Sequence, residues 1–361
     1  MIHRSRRLWM KMQEFMTTMR TLMAGARCET MGPDTRIVFM SDFHLGDGGK
    51  SDDFRHNADL VSGALESFYL GKNWQLVLNG DIEDLYKFKA ARIRASYGEL
   101  YTLLHAFGRG PGLVKIVGNH DLGLLLHDDY EFPLENALRL DRGDGSFLAY
   151  HGHQSSRLFM KYNHLSDFLV RYIADPLKIH NTDVPMTSRK RFKAERRMYR
   201  VSKDLGIISI VGHTHRPLFE SFSKYDSLRW NIESLLRHYA DAPEQDREGI
   251  EALVGIYSEE FKRLSRKERK QKVSRSLYER EELLVPCIFN SGCATGRGGV
   301  TAIEMEGNSI SLVYWTLAGK ARPYLEREAL FHDRMDGSPW IRYTIARDSI
   351  DYVMARSRLL S

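Results

Sequence analysis

Cysteine is scarce, with only Cys28, Cys287 and Cys293 in 361 residues. Three is too few, and an odd number, for a disulfide framework, so a stapled secreted scaffold is excluded and a reducing, cytoplasmic setting is expected. Long apolar runs are missing as well. No stretch of about 18 apolar residues occurs, which excludes a helix crossing a membrane. Neither sign of charge dominates: 53 Lys and Arg oppose 47 Asp and Glu, a formal +6. There is no low-complexity tract and no internal repeat. What is present is ordinary, 42% hydrophobic and 28% charged, which excludes collagen-like and wholly disordered chains. The length suits one large domain with elaborations, or two ordinary ones.

The small net charge hides an uneven distribution. Ser155–Leu205 carries twelve Lys or Arg against five Asp or Glu, a local +7 that exceeds the balance of the whole chain. Residues 1–30 add +4 and residues 259–282 add +3, leaving −8 for the remainder. The body is acidic and its attachments are basic. A basic run alone reads as a solvated helix face as readily as a ligand site. The Met-rich basic N-terminus is a poor secretory signal because it has no compact apolar core. It reads as a frayed helix or as residues ahead of a start at Met31. A weakly membrane-attracted amphipathic helix is the alternative.

Five short apolar runs rich in β-branched residues read as buried strands: Arg36–Met40, Gln75–Leu78, Leu113–Val117, Phe147–Tyr150 and Ile207–Val211. They are too short for helices and are cut off by turn residues. Helical patterns at Asp59–Leu70 and Ser96–Phe107 alternate with them, the rhythm of an α/β fold. Later, Val285–Asn290, Gly299–Glu306 and Ser309–Thr316 read as strands with only turns between them, Glu306-Gly307-Asn308 making a tight hairpin. Two stretches break the rhythm, the basic 155–205 and a long charged helical region at 225–284.

The residues that follow each of the first five strands carry chemistry. In order they are Ser41-Asp42-Phe43-His44, Asn79-Gly80-Asp81, Gly118-Asn119-His120-Asp121, His151-Gly152-His153 and Gly212-His213-Thr214-His215. Carboxyl ends of strands in an α/β sheet converge on one crevice, so these pieces are expected in one place. Extended backbone through Asp42-x-His44 and His213-x-His215 would point each pair the same way. Mixed carboxylate and imidazole donors suit Mn, Fe, Zn or Co better than Mg or Ca. The absence of cysteine from these motifs argues against a structural zinc. Seven ligands are too many for one tetrahedral ion and about right for two ions, roughly 3.5–4 Å apart, that clamp a phosphate and activate a water. A lone D-x-H or H-G-H arises by chance; five motifs in order at five strand ends do not.

D42-F-H44, G80-D81-I-E-D84, G118-N119-H120-D121, H151-G152 and G212-H213-T-H215 together resemble the calcineurin-like metallophosphoesterase superfamily. The resemblance implies a four-layer α/β/β/α metallophosphoesterase sandwich with inserted helical cap segments. The domain would span 35–319, with a cap-like insertion at 155–205 and a helical insertion at 223–284, leaving 1–34 as a basic N-terminal extension and 320–361 as a C-terminal extension. It implies one metal on Asp42, His44, Asp81 and His215, and another on Asp81, Asn119, His151 and His213. Asn119 would also stabilise charge on the phosphoryl oxygens, and His120 would protonate the leaving oxygen, held by Asp84. His153 reads as an accessory polar residue.

S41-D-F-H44-L45-G46 and G212-H-T-H-R216-P217 are similar to the UDP-2,3-diacylglucosamine pyrophosphatase branch, whose basic helical cap occupies the slot of 155–205. Amphipathic Leu158–Ile173 would cover acyl chains, and Arg189, Arg191, Arg196 and Arg197 would contact phosphates. That branch has Arg where this chain has His120. Protein phosphatases carry an Arg after the position of Asp84, where this chain has Leu85. The expected activity is two-metal hydrolysis of a phosphoester or pyrophosphate in a nucleotide- or lipid-linked substrate, with peripheral contact at the inner membrane surface. A nuclease or cyclic-nucleotide phosphodiesterase, with nucleic acid as partner, is the second reading. A non-catalytic metal-binding scaffold is the third. No protein partner is implied.

Overall fold

Alternation along β2 (Arg36–Met40) sends Ile37 and Phe39 to one face and Val38 and Met40 to the other, and all four are buried. A strand buried on both sides needs a layer above and a layer below. The computed structural model describes residues 2–127, 129–143, 145–155, 188–221, 224–271, 285–296, 298–321, 329–335 and 337–361. Within them β2 lies in an eight-stranded sheet ordered β12-β13-β11-β10-β2-β3-β4-β5. Strands β2, β3 (Gln75–Asn79), β4 (Leu113–Ile116) and β5 (Leu134–Glu135) run parallel. The other half is antiparallel: β10 (Val300–Glu306), β11 (Ser309–Leu317), β12 (Phe331–Arg334) and β13 (Trp340–Ser349).

The second sheet has the order β1-β6-β7-β8-β9. Its members are β1 (Arg27–Thr30), β6 (Leu138–Arg142), β7 (Gly145–Ala149), β8 (Ile208–Val211) and β9 (Ile288–Asn290). The sheets meet face to face over Phe39, Val77 and Ile116 from one side and Leu140, Phe147 and Ile210 from the other. Outside the larger sheet, Val38, Met40, Leu76 and Leu78 pack under α2 (Ala58–Gly63), its π-helical continuation Ala64–Leu70, and α4 (Gly98–Arg109), which follows the short α3 (Ala90–Ser96). Outside the smaller sheet, Leu148, Tyr150 and Val211 pack under α1 (Ile2–Ala24) and α5 (Ser188–Leu205). The layers are therefore α/β/β/α, as the motifs imply.

Both terminal segments take part in these layers. Phe15 and Met19 of α1 are fully buried beside Met198 and Tyr199 of α5, which a frayed or membrane-seeking helix would not be. The chain after 320, set apart above as an extension, supplies two strands of the larger sheet. β13 pairs with β11 from Ser309↔Ser349 to Leu317↔Trp340. The following α8 (Ile350–Leu360) starts at Ser349, whose hydroxyl accepts from Tyr352 N, and buries Ile350 and Val353 between the sheets. Ile350→Val is expected to lower the unfolding free energy by about 0.5–1.5 kcal/mol, the usual cost of one buried methylene. A urea midpoint equal to that of the wild type would mean this helix is not docked.

The hairpin expected at Glu306-Gly307-Asn308 is the β10–β11 turn, with Gly307 at φ +56°. In the helical insertion α6 (Lys224–Asp241) packs on α7 (Glu244–Gln271), burying Leu228, Ala242 and Ile250. Residues 272–284 of that insertion, and the Leu158–Ile173 stretch of the expected cap, lie outside the described residues. Among the described residues no helix is long and apolar enough to cross a membrane.

Candidate metal centre

All of the ligand candidates sit just beyond strand ends. β2 leads to Asp42 and His44, β3 to Asp81, β4 to Asn119 and His120, β7 to His151, and β8 to His213 and His215. The extended backbone expected through Asp42-x-His44 and His213-x-His215 does not persist. Asp42, His44, Asp81, His213 and His215 all hold left-handed φ, between +51° and +64°. Such backbone costs of order 1–3 kcal/mol per non-glycine residue and persists only where neighbours over-determine it.

Here the neighbours do. His44 N donates to Asp81 O (3.0 Å) and Asp42 N to Gly80 O (3.0 Å), stitching two strand ends together. His213 N donates to Asp42 Oδ2 (3.0 Å), and His120 N to Asp81 Oδ1 (2.8 Å). Gly80, at φ +86°, lies so near the His151 ring that a Cβ there would overlap it. The glycine therefore permits both the turn and the close approach.

The donor atoms form three overlapping groups, each spanning no more than 4.8 Å: Asp42, His44 and His215; His44, Asp81 and His120; Asp81, His151 and His213. Nε2 of His215 lies 3.1 Å from Asp42 Oδ1, and Nε2 of His151 lies 3.0 Å from Asp81 Oδ2. His44 Nε2 and His215 Nε2 face one another at 3.1 Å, and His44 Nε2 is 3.9 Å from both carboxylates. Asn119 is buried at the same place. His120 Nε2 and His213 Nδ1 are buried without a hydrogen-bond partner. Folded proteins rarely leave buried polar atoms so unless something else binds them. Imidazole and carboxylate lone pairs converging in this way fit a divalent transition ion.

Charge is unevenly held. Burial disfavours the charged forms of His44 and His213 and takes them down to about 4 and about 3. Burial also opposes charge on His151 and His215, but Asp81 beside the first and Asp42 beside the second raise them to about 9 and about 10. Asp81 itself, despite burial, is held well below the ordinary carboxylate value by His151 and His120. His120 Nδ1 lies 2.8 Å from Asp84 Oδ1. Burial works against the charged ring, yet Asp81 and Asp84 together hold it above its ordinary value. Lys87 Nζ reaches the other Asp84 oxygen at 3.1 Å, and the Tyr86 ring lies 4.3 Å from that of His120. His153 is buried 5.5 Å from His151, ring to ring, and joins none of the three groups.

The expected substrate contacts fall on α5. Arg196 and Arg197 are half-buried there. Arg189 and Arg191 lie in its first turn, and their side chains are outside the described residues. Several supporting residues carry no role in the motif reading, although Ser41 and Asp121 stand inside the motifs. Ser41 Oγ donates to Asp42 Oδ2 (2.5 Å), and Cys293 hydrogen-bonds His215. Asp121 accepts from Gly118 N (2.6 Å) and Ile82 N (2.8 Å), joining two ligand loops. Lys115 and Glu83 lie beneath it. A lysine inside the apolar run Leu113–Val117 was the available signal for that cluster.

Among solved structures the chain is similar to a dimetal phosphatase from Danio rerio (12% identity, 78% of this chain and 96% of that one, TM-score 0.34). It is likewise similar to the phosphoesterase Yfce from E. coli (11% identity, 77% and 91%, TM-score 0.31) and to Vps29 from Entamoeba histolytica (12% identity, 80% and 95%, TM-score 0.32). No curated protein matches the sequence. The profile of the calcineurin-like phosphoesterase family matches residues 35–217, the span that carries every motif above. The chain belongs to that family, and is a metal-dependent phosphoester hydrolase.

Proposed function

We propose that the centre takes two divalent ions, Mn²⁺ foremost with Fe, Zn or Co as alternatives. Its substrate would be a nucleotide-linked or lipid-linked phosphoester or pyrophosphate, as in the UDP-2,3-diacylglucosamine pyrophosphatase branch. The observation that carries this reading is the sharing of Asp81, whose carboxylate serves one donor group with His44 and His120 and another with His151 and His213. Asp42, His44, Asp81 and His215 would hold one ion, and Asp81, Asn119, His151 and His213 the other. Divalent cations bound there supply Lewis acidity and make water more acidic.

The remaining work belongs to the chain. His120 Nε2, opposite the nitrogen that Asp84 holds, delivers a proton to the departing oxygen, and the Asp84 carboxylate keeps the ring oriented and charged for that step. The Asn119 carboxamide and His213 orient the phosphoryl group. Arg189, Arg191, Arg196 and Arg197 of α5 bind the substrate's further anionic groups. The partner is thus a phosphorylated small molecule or lipid, met in the cytoplasm or at the inner membrane surface. Nucleic acid is the second choice.

The test is a screen of metal-reconstituted protein over mononucleotides, cyclic nucleotides, nucleotide sugars, UDP-linked lipids and single-stranded DNA. Preference for UDP-linked lipid with detergent dependence supports the reading. DNA cleavage that falls steeply with salt would move it to a nuclease. Protein that binds Mn²⁺ yet leaves every substrate intact would sink it. His120→Ala is expected to keep its metal and lose about 10²–10⁴-fold in turnover on substrates with poor leaving groups, the usual worth of a general acid. Much less is lost on a p-nitrophenyl ester, whose leaving group needs no proton. Equal losses on both would argue against the acid role.

A further inference from the structure

The loop Gly212–Arg216 carries two donors, His213 and His215, each at left-handed φ (+64° and +55°). Thr214 stands between them and is fully buried. Two strand ends hold this loop: Asp42 Oδ2 accepts from His213 N (3.0 Å), and Asn290 Nδ2 donates to Gly212 O (2.9 Å) and to Thr214 Oγ1 (3.0 Å). The third hold comes from elsewhere in the chain. Thr214 Oγ1 donates to Glu195 Oε1 (2.8 Å), Arg216 Nε donates to the same oxygen (3.1 Å), and a second guanidinium nitrogen of Arg216 meets Glu195 Oε2. The Glu195 side chain is fully buried. It belongs to α5, within the basic segment that interrupts the sandwich between the H-G and G-H-T-H motifs.

We propose that Glu195 is a positioning residue for His213 and His215, so that the inserted segment completes the metal centre as well as flanking it. The physical case rests on strain and saturation. Two left-handed residues separated by one are stable only while their surroundings leave no alternative. Thr214 supplies that constraint because its hydroxyl is used twice, donating to Glu195 and accepting from Asn290. A carboxylate bonded by a guanidinium through two nitrogens is geometrically exacting, and here it is sealed from water on the carboxylate side. With Glu195 removed, Thr214 can rotate and Arg216 loses its buried partner. His213 and His215, one on each side, then lose their common register. Outer partners of metal ligands typically matter by about 10–100-fold in metal affinity.

This inference rests on the proposed metal reading of the site, and calorimetric titration of the apoprotein with Mn²⁺ separates the two. Absence of Mn²⁺ binding by the wild type would overturn the metal reading and this proposal with it. Given wild-type binding, Glu195→Ala is expected to weaken Mn²⁺ affinity by about tenfold or more, while Glu195→Gln, which still accepts from Thr214, recovers part of the loss. Thr214→Val removes the same hydrogen bond with little change of volume and covers the case in which Glu195→Ala fails to fold. Folded Glu195→Ala or Thr214→Val protein that binds Mn²⁺ within twofold of the wild type would overturn the proposal. So would a loss equal for Glu195→Ala and Glu195→Gln with unchanged affinity in Thr214→Val.

Discussion

Asp81→Asn is expected to reduce turnover by more than about 10³-fold, beyond the roughly 10–100-fold that follows loss of a residue merely supporting a ligand. The same change should lower the Mn²⁺ stoichiometry of the protein. Asp81 lies in two of the three donor groups, so its substitution removes charge from both sides of the centre at once. The amide is nearly isosteric and its oxygen can still accept from His120 N, as Asp81 Oδ1 does at 2.8 Å. The fold should therefore survive. What the amide lacks is the negative charge that, in the apoprotein, holds His151 up to about 9. His151 should accordingly titrate at lower pH in the variant, visible by NMR of the apoprotein. Retention of full metal stoichiometry together with more than about a tenth of the activity would remove Asp81 from the bridging role that the two-ion reading requires.

The centre was legible in the sequence because its donors are punctuation. Each follows a short β-branched run directly, and an α/β sheet delivers strand ends to one edge. The backbone conformation of those donors was not legible. Nothing in D-F-H, G-D or H-T-H announces five left-handed residues, because their conformation is imposed by cross-loop bonds such as His213 N to Asp42. Charge hidden by pairing misled elsewhere. Arg342 in β13 is buried against Glu304 and Asp333, and Trp340–Ser349, set apart with the C-terminal extension, is an inner strand of the sheet. Glu195 was invisible for a similar reason. It is one of two acids in a strongly basic helix, and the positive charge balance of the segment averages it away. β12 offers no apolar alternation because all four of its residues are exposed.

Lys115→Met is expected to destabilise the fold by about 3–5 kcal/mol, the cost of leaving a buried charge uncompensated. Lys115 Nζ lies 2.5 Å from Glu83 Oε2 and 3.9 Å from Asp121 Oδ2, with all three side chains at 1% exposure or less. Tyr101 and Tyr130 hydroxyls donate to Glu83 Oε1 at 2.8 and 2.7 Å. Two carboxylates therefore share one ammonium. Burial already takes Asp121 up to about 6, with Lys115 opposing the rise. Removing Lys115 raises the folded-state value further above the ordinary 3.8. A folded state that binds protons more tightly than the unfolded one gains stability as pH falls. The Lys115→Met deficit should therefore shrink between pH 8 and pH 4.5.

The double variant Lys115→Met/Glu83→Gln should recover much of the loss at neutral pH. The amide still accepts from both tyrosines and brings no charge. The two deficits are read from urea midpoints at matched m-values. A single variant within about 1 kcal/mol of the wild type would show that the pair contributes no more than an exposed one does. The consequence reaches the metal centre through Asp121, whose two oxygens bind Gly118 N and Ile82 N. Those amides begin the loop bearing Asn119 and His120 and follow Asp81, so a repacked cluster should cost metal affinity as well as stability.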